Sequence, residues 1–240
     1  MNRCIQYMCR FISYLLLLGV TAAQASDVMV VTEQSPPYQM MINDEVEGSA
    51  TQTVKRFLAE AGVSADFAMY PWARAYKKAT SDANILIYSI AKSPERLEKF
   101  HWLIPVVDYN LGLVALSSAA PLIMTDWAQL KNHRIAVQRD DIAQKWLLSL
   151  GLVEGVNFIA CSDINCSWQL LYNRNVDFII ETEELIAEMT RMLNQPSNSA
   201  PFIRAIPELK VTDYLAASIR TEPHILQKLL DAAPRFTAAQ

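Results

Sequence analysis

The chain has 240 residues, 52% of them hydrophobic and 19% charged, with a formal net charge of −4. That length suits one large domain or two small lobes. The acid excess argues against nucleic acid as a partner, since a phosphate-binding face needs clustered Lys and Arg.

The first twenty-five residues read as an export signal. Arg3 and Arg10 give a positive start, Phe11 to Val20 is an apolar run too short to span a bilayer comfortably, and Ala23-Gln24-Ala25 is the small-x-small pattern that signal peptidase accepts. The expected mature chain starts at Ser26; an uncleaved N-terminal anchor is the competing reading. Arg3 and Arg10 are the only charged residues before Ser26, so the 21 basic and 25 acidic side chains of the whole chain become 19 and 25 after it. Cys4 and Cys9 leave with the signal. Cys161 and Cys166 then remain as two close thiols in an oxidising compartment, where a disulfide is expected. A metal site is the weaker rival, because two thiols do not complete one and the three histidines are scattered.

From Val28 onward, strand-like and helix-like segments alternate. Val28–Val31 is a short apolar strand that runs into the proline-stiffened Thr32–Tyr38 loop. A helical stripe of Val54, Phe57, Leu58 and Ala61 follows, stopped by Gly62. Ala65–Tyr70 alternates as a strand does, Pro71 opens a helix over Trp72–Ala79, and Asn84–Tyr88 is a buried strand. After the long run Tyr109–Ala120 come three more pairs: Arg134–Val137 with Ile142–Leu150, Val156–Ala160 with Ile164–Tyr172, and Val176–Ile180 with Glu183–Leu193. The rhythm breaks at Pro207–Thr212. A strand over Asp213–Ile219 and a helix over Glu222–Ala233 close the chain. Such alternation implies right-handed βαβ units on mostly parallel sheets, with ligands bound at the carboxyl ends of the strands. Two crossings between two βα series imply two lobes, the first discontinuous. The expected division is a signal peptide over 1–25, a first lobe over 26–115 and 209–240, and a second over 116–208.

The chemistry of an enzyme is not visible. The sequence has no glycine-rich phosphate loop, no G-x-S-x-G elbow and no H-E-x-x-H helix. His101, between Phe100 and Trp102, reads as structural. No catalysis is expected and no cofactor is implied.

Ser89-Ile-Ala-Lys-Ser-Pro-Glu-Arg96, followed by Phe100 and Pro105, resembles a stretch of the family 3 extracellular solute-binding proteins, the periplasmic amino-acid-binding type of ABC transporters. The likeness extends to Pro36-Pro37-Tyr38, to Pro71–Tyr76 and to Asp213–Leu230, and so covers nearly all of the mature chain. It implies an α/β, two-lobed, type II periplasmic-binding-protein-like fold with mostly parallel sheets joined by two hinge crossings. It implies a monomer in the periplasm that captures a small amino-acid-like or acidic ligand and hands it to a membrane permease; a sensing module or receptor partner is the alternative. In the family the arginine of this turn grips the ligand's carboxylate, and here that residue is Arg96. A guanidinium is always charged and meets a carboxylate as a two-pronged donor; a surface ion pair with Glu95 or Glu98 is the competing role. Ser89 matches a donor at the strand end, and Tyr38 and Trp72 match aromatic walls. Trp72 equally suits core packing with Tyr76 and Ala79. Arg74 faces either the cleft or solvent. Glu33, in the loop after the first strand, completes the first-lobe set.

The second lobe departs from the pattern. Where amino-acid binders carry a Gly-Ser/Thr pair after the strand, this chain has Gln138-Arg139-Asp140-Asp141, which makes Arg139 a candidate. The position of the family's ammonium-binding aspartate is Thr182, and a one-residue shift would let Glu181 serve.

Overall fold

A computed structural model describes residues 26–118 and 125–237; the expected signal peptide over 1–25 lies outside them. The strands are β1 (Val28–Thr32), β2 (Met40–Ile42), β3 (Glu45–Glu47), β4 (Ala65–Met69), β5 (Ile85–Ala91), β6 (Phe100–Val114), β7 (Ile135–Gln138), β8 (Phe158–Cys161), β9 (Phe178–Thr182) and β10 (Phe202–Ser218). The helices are α1 (Ser49–Ala61), α2 (Trp72–Ser81), α3 (Ile142–Ser149), α4 (Ile164–Tyr172), α5 (Glu183–Met192) and α6 (Pro223–Ala232), with 3-10 turns over Pro94–Lys99 and Trp127–Asn132. The expected helices and short strands all form.

Eight strands make one continuous ladder in the order β4-β1-β5-β10-β6-β9-β7-β8. This differs from two separate sheets, and the reason is the length of β6 and β10. The sequence suggests a strand from Tyr109 and another from Asp213; each strand instead starts about ten residues earlier. The two are antiparallel neighbours along most of their length. Phe100 to Val107 pairs with Ser218 to Asp213, and Gly112 to Val114 with Ala205 to Phe202. β1 is parallel to β4 and β5 on one side, and β7 is parallel to β8 and β9 on the other. These are the two lobes, and β6 and β10 are the hinge crossings. β2 and β3 form a small separate hairpin.

Between Ala205 and Lys210 the register slips, so that four β10 residues face a single step of β6. Pro207 has no N–H to give a ladder there, and the bulge turns Ile206 and Leu209 into the second-lobe core. Gly112 lies opposite. A Cβ on it would sit 2.4 Å from the Arg204 carbonyl oxygen and 2.3 Å from the Phe202 ring, so the hinge strands approach as closely as only glycine permits.

Each lobe is packed on both faces. In the first, α1 and α6 cover one side through Val54, Phe57, Ile225 and Leu229 on Leu86, Tyr88 and Leu215. α2 covers the other through Ala75 and Ala79 on Ile85 and Ile87. β5, central and parallel to β1, is buried over all seven residues, as a strand covered on both faces must be. In the second lobe, Trp146 and Leu147 of α3 pack on Ile135, Phe158 and Phe178, while Trp168 and Leu171 of α4 pack with Leu185 and Met189 of α5. Cys161 and Cys166 form the expected disulfide, with Cα atoms 5.6 Å apart. Asp163 helps place it: its carboxylate caps α4 by accepting the Cys166 N–H at 3.0 Å.

Candidate ligand site

The carboxyl ends of β1, β5, β7 and β9 face one another across the hinge. A small cavity of about 60 Å³ lies between them. Of the residues the sequence singles out, Glu33, Trp72, Ser89, Arg96 and Glu181 line it, and Tyr38, Arg74 and Arg139 do not. Tyr38 stands edge-on to Tyr109 with ring centroids 5.2 Å apart. Arg74 lies over the Tyr70 ring at 4.6 Å. Arg139 is exposed and donates to the Ala160 carbonyl at 3.2 Å.

The first-lobe wall is set by a bulge in β5. Between Ile87 and Ile90 the pairing with β10 skips a residue, and Ser89 there takes a left-handed φ of 56°. Such a conformation is uncommon outside glycine, asparagine and aspartate and turns the side chain out of the pleat. The Ser89 hydroxyl donates to Gln39 Oε1 at 3.0 Å, and Gln39 Nε2 donates to the Tyr109 hydroxyl at 3.4 Å. Tyr109 Oη and Ser35 Oγ are 3.1 Å apart. The chain of bonds ties the loop after β1 to β5 and to the hinge.

Arg96 reaches the cavity from the turn that Pro94 opens, and it is 1% exposed. Its Nη1 donates to the Ala91 carbonyl at 3.3 Å and its Nη2 to the Asp140 carbonyl at 2.9 Å. The guanidinium lies 5.2 Å from the ring centroids of both Trp72 and Tyr76, so both amino groups and the flanks are engaged by the chain itself. Trp72 lines the cavity and also packs in the core. It is buried beside Tyr76, ring centroids 5.9 Å apart, and its indole Nε1 donates to the same Asp140 carbonyl at 3.1 Å. Asp140 has φ 62°, which aims that carbonyl across the cleft. Glu95 does not pair with Arg96. It bridges the lobes to Lys145 of α3.

The second-lobe wall is acidic. Asp141 caps α3, its carboxylate accepting the Ile142 N–H at 2.6 Å, and the Asp140 N–H is taken by Gln144 Oε1 at 2.7 Å. Asp141, Gln138 and Thr182 line the cavity beside Glu181, as does Asp213 from the first-lobe half of β10. Burial pushes Glu181 up to about 8, and the charge of Asp141 adds to it. Burial holds Glu33 well above the usual carboxylate range, helped by the charges of Asp141, Glu181 and Asp213. Asp213 is raised well above its ordinary value by burial and by Asp141, with Arg96 opposing. Asp141 is raised by burial, against the amides of Ile142 and Ala143 and the Arg96 charge. Four carboxyl groups thus share one small space with one guanidinium.

Asp213, Asp141, Gln138 and Tyr109 lie in the wall without having been singled out. Their only sequence signal is position, at strand ends and hinge crossings. For Asp213 this becomes readable once the full length of β10 is known.

Residues 28–226 match the profile of the bacterial extracellular solute-binding proteins, family 3. The chain belongs to that family. No curated protein sequence gives a significant match. Among solved structures, the arginine-, lysine-, histidine-binding protein ArtJ of Geobacillus stearothermophilus superposes with a TM-score of 0.72 at 17% identity, over 87% of this chain and 88% of that one. The arginine-bound, truncated ArgBP of T. maritima gives 0.71 at 11% identity, over 88% and 96%. A histidine kinase sensor domain described as similar to periplasmic binding proteins gives 0.70 at 15% identity, over 87% and 89%. At these identities the likeness is one of fold. Among the described residues no helix is long and apolar enough to cross a membrane, and no group of three His, Cys, Asp or Glu is placed to hold a metal ion.

Proposed function

We propose that this is an exported, periplasmic binding protein that encloses a small polar ligand between its lobes and delivers it to a membrane permease. The observation that carries this reading is the polar cavity at the facing strand ends, walled by both lobes and bordered by the two hinge strands. A ligand that touches both walls stabilises the closed arrangement by its differential affinity for it. Processing after Ala25, a monomeric state and the absence of turnover belong to the same reading.

The test is a thermal-shift screen of the mature protein against amino acids, organic acids and amines. A ligand that binds the folded state at a hundred times its Kd adds about 2.7 kcal/mol of apparent stability. At least one class should raise the melting temperature by several degrees, with the compound recovered unchanged. A flat screen across all classes, or consumption of the compound, would overturn the proposal. Mass spectrometry of native material should find Ser26 as the first residue.

A second reading, ligand sensing without transport, is favoured by the direct bonds of Trp72 and Arg96 to the Asp140 carbonyl. They couple lobe position to the cavity through the protein itself, as a switch requires. Uptake of labelled ligand that persists in cells lacking the gene would favour sensing.

A further inference from the structure

The geometry points to a small amine that carries no carboxylate, such as a short α,ω-diamine, as the ligand of the inter-lobe cavity. The inference rests on the ligand-binding reading above and names the chemistry of that site.

Two features could hold an acid group of a ligand, and the protein already occupies part of each itself. At the N-terminus of α3 the Asp141 carboxylate accepts the Ile142 N–H, and Gln144 Oε1 takes the Asp140 N–H just before the helix. The amino groups of Arg96 rest on the Ala91 and Asp140 carbonyls, and Asp141 is the carboxylate that both Arg96 and the helix terminus favour. The Asp141 carboxyl group thus already stands at the helix terminus, where an incoming carboxylate would be held, and it is covalently part of the chain. A ligand carboxylate would join Asp141, Glu181, Glu33 and Asp213 in a space where burial and mutual repulsion already disfavour the charged form.

What the cavity leaves unsatisfied is mainly acceptors. Asp213 Oδ1 and Gln138 Oε1 are buried with no hydrogen-bond partner, and Asp213 and Glu181 are each only 6% exposed. The one unpartnered donor of the lining residues is Arg96 Nε, and the Arg96 charge opposes the rise at Asp213. Buried acceptors require donors, and an ammonium offers three and no acceptor. A bare metal ion is the other cation to weigh, but no three carboxylates converge as its ligands among the described residues. Between the acids the wall is apolar, with Leu111, Ile180 and Val211 suited to methylene groups. About 60 Å³ of such room holds roughly four to six water-sized groups, which matches 1,4-diaminobutane and is slightly exceeded by 1,5-diaminopentane.

L-lysine and 1,5-diaminopentane make a matched pair that differs by one carboxylate. Calorimetry on the mature protein should show 1,4-diaminobutane or 1,5-diaminopentane binding at least about tenfold more tightly than L-lysine, which is about 1.4 kcal/mol, and L-glutamate more weakly than both. Lysine or glutamate binding as tightly as the diamines, or more so, would overturn the inference and leave the binding-protein reading intact. Silence from amines, amino acids and organic acids alike would overturn both. Asp141→Ser gives an independent arm, since serine still caps the helix while freeing the anion's place. The affinity of lysine relative to 1,5-diaminopentane should then rise about tenfold; an unchanged ratio would show that Asp141 is not the internal anion.

Discussion

In the first lobe most polar groups of the cavity wall have protein partners: Ser89 rests on Gln39, and Arg96 on two carbonyls. In the second lobe Gln138 Oε1 has no partner, and Glu181 is held by burial near pH 8 rather than by a counter-charge. The first lobe is therefore the shaped and rigid side. The second, together with Asp213, is the side whose charge is still to be answered. A binding protein needs both kinds of wall, because a fully satisfied cleft has nothing left to recognise and a fully unsatisfied one does not hold its shape.

The largest test of that contrast is Arg96→Ala. It removes two hydrogen bonds made by a charged group, each worth about 1.5–3 kcal/mol, and leaves Asp213 and Asp141 without their cation. Urea denaturation should show a loss of about 3 kcal/mol or more, with Arg96→Lys recovering only part of it because an ammonium cannot span two carbonyls in that geometry. A loss below 1 kcal/mol would mean that the first-lobe wall does not depend on this residue.

The acidic wall predicts a pH dependence of opposite sense to ordinary acid denaturation. Glu181 has a folded-state value near 8, and Glu33, Asp141 and Asp213 are raised as well. A raised carboxyl binds more protons folded than unfolded. Its contribution is therefore full below the ordinary carboxylate range and is lost as pH rises through the folded value. In the absence of added ligand, the melting temperature should fall between about pH 5 and pH 8.5, a change on the order of a few kcal/mol. Glu181→Gln should flatten the slope, and calorimetry of both proteins across that range decides it.

The second lobe also has the covalent staple. The Cys161→Ser/Cys166→Ser double variant opens a loop of only a few residues, so a loss of about 2 kcal/mol is expected. It should appear as faster hydrogen exchange in α4 and β8, with β1 and β5 unaffected. The smallest effect belongs to Lys145→Ala, which breaks the exposed bridge to Glu95 between the lobes. It should cost under about 1 kcal/mol and vanish at high salt.

The fold was legible in the sequence because each βα pair carries its own signals. Pro71 before α2, Gly62 after α1 and the apolar run of β5 depend only on local chain geometry. The great length of β6 and β10 was not legible, since Phe100–Val107 and Phe202–Ile206 gain their extended form from pairing with each other. The site divides the same way. Arg96 and Trp72 sit in a short contiguous pattern, and both line the cavity. Asp213 lies more than a hundred residues from Arg96, and only the returning strand puts it in the wall. In sequence, a basic residue such as Arg139 looks more like a binding group than a helix cap such as Asp141 does. Which of the two faces inward is set by the left-handed turn at Asp140.

The return of β10 also bears on the order in which the molecule can assemble. Leu215 and Ala217, with Ile225 and Leu229 of α6, complete a core that otherwise belongs to residues before position 105. A ribosome delivering this chain from its N-terminus must therefore present an unfinished first lobe, with the β10-facing edges of β5 and β6 unpaired, until after the second lobe has emerged. The second lobe is contiguous in sequence, from the last residues of β6 to the first half of β10, which supplies Ile206 and Leu209 to its core. The same geometry makes a first-lobe fragment cut before β10 a poor reagent.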